Sequence, residues 1–234
     1  MNAYLGEFLG TLLLILLGDG VVAGVLLKGS KAEGAGWLTI VLGWGVAVSL
    51  AIYAVGSVSG AHLNPAVSVA MVMTGDLDAS LLPGYVFGQF AGAFAGAVLV
   101  WVHYLPHWAE TADPSTKLAV FCNAPARRST VANLVSEVIG TFVLVFGLLF
   151  IGANEFAVGL NPLVVGALII AVGLCLGGTT GFAINPARDL APRIAHAVLP
   201  IPGKGNSDWS YSWIPVVGPL GGAAIAVFVY QALY

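Results

Sequence analysis

Charge is scarce in this 234-residue chain. Eight basic and eleven acidic side chains make up 8% of the sequence, against about 25% in a soluble domain, so a water-facing surface cannot be covered all round. With 59% hydrophobic residues and a mean hydropathy of +0.95, the composition is that of an integral membrane protein. The net charge of -3 offers no basic stripe for nucleic acid. Cysteine is nearly missing: Cys122 and Cys175 stand 53 positions apart, which excludes a disulfide framework and a zinc-ligand spacing, and no metal or cofactor is implied. No Lys or Arg precedes Lys28, so the apolar N-terminus lacks the basic flank of a cleavable signal and reads as a retained span. Short alternating strands are wanting, which argues against an outer-membrane barrel. Nor do a nucleophile, a base and an orienting group fall at a recognisable spacing. The stretch Gly56-Ser57-Val58-Ser59-Gly60 does not fit a nucleophile elbow, and no enzyme is expected.

Long apolar runs are present instead. A helix rising about 1.5 Å per residue needs roughly 20 apolar positions to cross hydrocarbon about 30 Å thick. Six segments qualify, near 4–27, 37–57, 84–105, 131–152, 160–178 and 214–233. Two further apolar stretches, near 62–76 and 183–197, are too short to cross. They read as half-helices, each opened by Asn-Pro-Ala: Asn64-Pro65-Ala66 and Asn185-Pro186-Ala187. Asn caps free N–H groups and Pro suits the first helical position. Non-helical backbone at membrane depth must be buried by protein or line water, so these breaks imply a cavity.

The two halves resemble each other. Glu7-x-x-Gly10-Thr11 returns 130 positions later as Glu137-x-x-Gly140-Thr141, and Gly60-x-x-x-Asn64-Pro65-Ala66 returns 121 positions later as Gly181-x-x-x-Asn185-Pro186-Ala187. Gly88 with Gly92-Ala93 is echoed by Gly218 with Gly222-Ala223. With three full spans per unit, the second copy enters from the opposite side, giving an inverted repeat. The expected fold is all-α: six transmembrane helices plus two re-entrant half-helices in one domain, with repeats near 1–105 and 131–234 and a polar linker over 106–130.

On these residues the chain resembles the aquaporin family, and within it the glycerol facilitators. Ser59-Gly60-Ala61-His62-Leu63-Asn64-Pro65-Ala66-Val67 is similar to the family's first signature, and Gly181-Phe182-Ala183-Ile184-Asn185-Pro186-Ala187-Arg188-Asp189 to the second in its glycerol-channel form. The resemblance implies a constriction of Trp44, twenty positions before Asn64, Gly173, twelve before Asn185, and Phe182 and Arg188, three to either side of Asn185. If spans two and five run oppositely, all four fall on one side of the midplane. The implied function is a passive channel for glycerol and related small neutral solutes, with some water permeation and with ions and protons excluded. The resemblance also implies a homotetramer in the cell membrane with cytoplasmic termini.

Glu7 and Glu137 are intramembrane carboxylates and so functional candidates. The family makes them acceptors for the re-entrant loops. Asp189 and Arg193, four apart on the second half-helix, form an expected ion pair that packs the loop. His62 lines the vestibule or is a satisfied buried ring. Asp19, between Gly18 and Gly20, has the plain reading of an interfacial cap. All eight basic residues fall after spans one, three and five, which by the positive-inside rule opposes the orientation that the family implies. The competing function is a gradient-coupled secondary transporter, which also uses inverted repeats and broken helices.

Overall fold

The computed structural model describes residues 2–234, and among them every regular element is helical. In chain order these are α1 (Ala3–Leu26), α2 (Gly36–Ser59), α3 (Pro65–Thr74), α4 (Leu82–His103), α5 (Leu105–Glu110), α6 (Pro114–Phe121), α7 (Thr130–Gly152), α8 (Asn161–Cys175), α9 (Pro186–Val198) and α10 (Ile214–Leu233). Helices of 24, 24, 10 and 22 residues over α1 to α4 are followed by helices of 23, 15, 13 and 20 residues over α7 to α10. Among the described residues, five helices are long and apolar enough to cross a membrane. The spans are apolar on nearly all sides, as a lipid environment permits. On α2, for example, Leu38, Leu42, Val46 and Leu50 are exposed at four-residue intervals while Val41, Trp44, Ala47 and Ala51 are buried.

The fifth span is shorter than the hydropathy pattern over 160–178 predicts. α8 has 15 residues, about 22 Å of rise. Its end has a local cause. Trp37 donates its indole N–H to the carbonyl of Gly173, 3.2 Å away, and Gly177-Gly178 follows, where the Gly181 amide already bonds Gly177 O at 2.8 Å. The linker differs too. Residues 106–130 fold into most of α5 and all of α6, the latter opened by Asp113, which accepts from the amides of Ser115 and Thr116, and pinned by Trp108 stacked on Phe121 at 5.5 Å.

Small residues let spans touch backbone to backbone. A Cβ on Gly88, Gly92 or Gly96 of α4 would lie 2.7, 2.2 or 2.7 Å from the carbonyl oxygens of Tyr4, Phe8 and Leu12 on α1. The same holds between α10 and α7, where a Cβ on Gly222 would come within 2.3 Å of Val138 O. These crossings leave α3 and α9 enclosed, with their N-termini facing each other.

Candidate functional site

The centre is built by two loops of the same design. Before α3, Gly60, Ala61 and Leu63 all have positive φ (80, 51 and 56°), and before α9, Gly181, Phe182 and Ile184 do (84, 44 and 45°). Non-glycine residues in this region cost of order 1–3 kcal/mol each and persist only when the surroundings impose the shape. Here a buried carboxylate imposes it. Glu7 accepts from the amides of His62 (3.0 Å) and Leu63 (2.7 Å), and Glu137 from those of Ala183 (3.1 Å) and Ile184 (2.8 Å). Each acid takes two consecutive N–H groups that the twisted loop cannot satisfy itself.

The two Asn side chains join the halves. Asn64 Oδ1 accepts from Ala66 N at 2.9 Å, and Asn185 Oδ1 from Ala187 N (3.0 Å) and Arg188 N (3.2 Å), so both cap their half-helices. Asn64 Nδ2 donates to Ile184 O and Asn185 Nδ2 to Leu63 O, both at 2.8 Å. The bonds are reciprocal. An Asn amide nitrogen has two hydrogens, so each residue keeps one donor for an oxygen in the cavity that both line. Pro65, Ala66, Pro186 and Ala187 form the first turns and are buried.

That cavity holds about 270 Å³ and runs between residues such as Ile52, Met71, Leu148 and Val165. A second cavity of about 230 Å³ is lined by Trp37, Ile40, Asn123 and Gly181 among others. Three residues border both: Trp44, Phe182 and Arg188. The Arg188 guanidinium lies 4.4 Å from the Trp44 ring centroid and donates from Nη1 to Phe121 O at 3.2 Å. Gly173 borders neither cavity. It stands behind the ring of Phe182, where an added Cβ would be 3.0 Å from Phe182 Cζ and 2.7 Å from Val41 Cγ1. Its lack of a side chain leaves the space that the Phe182 ring occupies.

The chain matches the major intrinsic protein family over residues 1–230. It belongs to that family. It is 58% identical over 234 residues to a Thermotoga maritima protein named "Probable glycerol uptake facilitator protein", with all of both chains covered. It is 57% identical over 234 residues to the glycerol uptake facilitator protein of Bacillus subtilis, covering 100% of this chain and 85% of that one. The X-ray structure of the aquaglyceroporin from Plasmodium falciparum aligns with a TM-score of 0.86 at 31% identity, covering 98% of this chain and 94% of that one.

In this major intrinsic protein the acids and bases outside the throat are tightly partnered. Asp189 and Arg193 are both fully buried and form an i,i+4 pair at 2.8 Å. Asp189 also accepts from Asn123 N at 2.7 Å, and Arg193 reaches the carbonyls of Asn123 (2.9 Å) and Ser207 (2.8 Å). The pair therefore straps α9 to the segment after α6 and to the loop before α10. His62 borders the larger cavity and bonds Ser68 Oγ through Nδ1 at 3.1 Å. Asp19 is no interfacial cap. It is fully buried on α1, with Oδ1 3.6 Å from Arg188 Nη1. Sequence reasoning missed Trp37 and Phe121, of which Trp37 packs edge-on against Phe182 at 5.7 Å. No spacing rule pointed to Phe121, because it contributes a backbone carbonyl from what reads as linker.

Proposed function

We propose that this protein is a passive channel for glycerol and related small uncharged solutes, with water as a lesser permeant. The observation that carries this reading is the position of Trp44, Phe182 and Arg188 on the shared border of two cavities, one of which contains the Asn64 and Asn185 amides. Trp44 and Phe182 offer an apolar corner to the C–H edge of a polyol, worth up to about 0.8 kcal/mol per buried CH₂. Arg188 has five guanidinium donors and spends one on Phe121, leaving others for successive hydroxyls. Each hydrogen bond nets only about 1 kcal/mol against water. Weak sites in series favour throughput over retention. Deeper in, the spare Asn donors and the two half-helix N-termini, each equivalent to about half a positive charge, receive a neutral oxygen and repel cations. Arg188 reinforces that barrier, and stripping an ion of water costs several kcal/mol or more. Gly173 acts through Phe182, by letting its ring lie back.

The repeats near 1–105 and 131–234 form one domain, assembled as a homotetramer in the cell membrane with one pore per subunit and cytoplasmic termini. Supporting this orientation, most of the basic side chains that would vote the other way are engaged. Lys28 pairs with Glu33, Arg128 with Asp208 and Arg193 with Asp189, while Lys117 donates to Pro202 O and Lys204 to the carbonyls of His196, Ala197 and Leu199. Lys31 is exposed and makes the better reporter: Lys31→Cys should react with an impermeant maleimide from outside the cell.

Stopped-flow light scattering on proteoliposomes tests the function. Glycerol entry should exceed that of empty liposomes, rise linearly with concentration and ignore proton and sodium gradients. Saturation together with gradient dependence would establish the secondary transporter instead.

A further inference from the structure

Arg188 is held from three directions. Phe121 O takes Nη1, the Trp44 ring lies under the guanidinium, and the third neighbour is Asp19 Oδ1 at 3.6 Å. Asp19 is unusual for a buried carboxylate. It is wholly inaccessible, and neither oxygen has a hydrogen-bond partner among the described residues. Every other acid near the centre is saturated: Glu7 and Glu137 hold loop amides, and Asp189 is used by Arg193 and Asn123. Among the described residues, Asp19 is thus the one carboxylate within 4 Å of the Arg188 guanidinium. The preceding residue explains how α1 comes so close. A Cβ on Gly18 would lie 2.3 Å from the Trp44 ring, so only glycine allows the helix to press against the throat.

We propose that Asp19 is a positioning residue for Arg188: a counter-charge behind the throat that fixes where the guanidinium donors point and so sets the preference for polyols over water. Arg188 is 7% exposed, and a guanidinium that far out of water is costly without an opposing charge. With Asp19 present the side chain has a reason to stay over the Trp44 ring. With Asp19 neutral it gains by moving toward whichever cavity offers more water. A water molecule needs one donor at a time and tolerates that movement. A three-carbon polyol must meet the guanidinium and the Trp44–Phe182 corner together, so it does not.

This inference rests on the channel reading above. The experiment measures glycerol and water permeability in proteoliposomes for the parent, Asp19→Asn, Asp19→Glu, Arg188→Gln and the double variant Asp19→Asn/Arg188→Gln. Asp19→Asn should lower glycerol permeability about tenfold, as for one lost charge-assisted contact, while water changes by less than about twofold. Asp19→Glu, which keeps the charge, should restore most of the glycerol-to-water ratio. In the Arg188→Gln background, adding Asp19→Asn should leave that ratio unaltered, because Asp19 acts through the guanidinium. A parental ratio in Asp19→Asn would overturn the proposal. So would any clear ratio shift on adding Asp19→Asn to the Arg188→Gln background, a comparison between two Arg188→Gln chains that does not need Asp19→Asn alone to insert. A parent chain that passes no glycerol would instead overturn the channel reading, a result that needs no variant.

Discussion

Glu7 gathers four donors around one carboxylate, whereas Glu137 gathers three, the Ala183 and Ile184 amides and the Thr180 hydroxyl. Besides the His62 and Leu63 amides, Glu7 accepts from Ser59 Oγ at 2.6 Å and Gln89 Nε2 at 2.7 Å, and Gln89 passes the network on to Ser68 at 2.9 Å. Around the second loop the bonds to Glu137 are supplemented by charge: α9 buries Arg188, Asp189, Arg193 and His196, while α3 contains no charged residue at all. The same twisted backbone is therefore held by a buried carboxylate both times, with a wider hydrogen-bond network around the first loop and an ion-pair strap beside the second. The strap lies on the same half-helix as Arg188, which borders both cavities. A loop that must present a fixed positive charge needs neighbours that answer it electrostatically, and a loop that presents only an amide does not.

Replacing the two acids gives the largest expected effect and tests the contrast directly. Glu7→Ala takes the carboxylate from four donors and Glu137→Ala from three, each costing about 1–3 kcal/mol. Glu7→Ala should therefore lower folded yield after detergent extraction more than Glu137→Ala, and equal losses would erase the distinction. Next comes the strap. Arg193→Ala leaves Asp189 buried and uncompensated, a loss of about 3–5 kcal/mol visible in thermal unfolding of the purified protein. The smallest effect belongs to α6, which delivers the Phe121 carbonyl to Arg188. Its cap, Asp113, is exposed, and hydrogen bonds from the Ser115 and Thr116 hydroxyls, helped by the amides of both, hold its carboxyl down at about 2. A lowered folded-state pKa means the contribution is complete above about pH 4 and is lost as pH falls through 2. Asp113→Ala should change glycerol flux less than about twofold at neutral pH and remove only the part of the acid destabilisation that sets in below pH 4.

Much of the frame was legible in the sequence, for physical reasons. Apolar length marks spans because lipid demands it, and Asn-Pro-Ala after a Gly marks a half-helix start because cap, ring and left-handed turn are all local requirements. The misses lie where a backbone atom or a neighbour in space decides. α8 ends at Cys175 through a Trp37 indole from another helix and a Gly pair, which hydropathy does not weigh. The segment 106–130 reads as linker, yet Phe121 and Asn123 supply carbonyls to Arg188 and Arg193. Asp19 looks peripheral by its place near the end of a span, and its burial comes from the contact between Gly18 and Trp44.

The most direct test of the central claim, that the border between the cavities selects by fit, is paired glycerol and water stopped-flow on the parent and Gly173→His. A side chain at 173 must displace the buried Val41 or the ring of Phe182. The account predicts that glycerol flux falls much further than water flux. An equal fall in both, from protein inserted at the parental level, would contradict it.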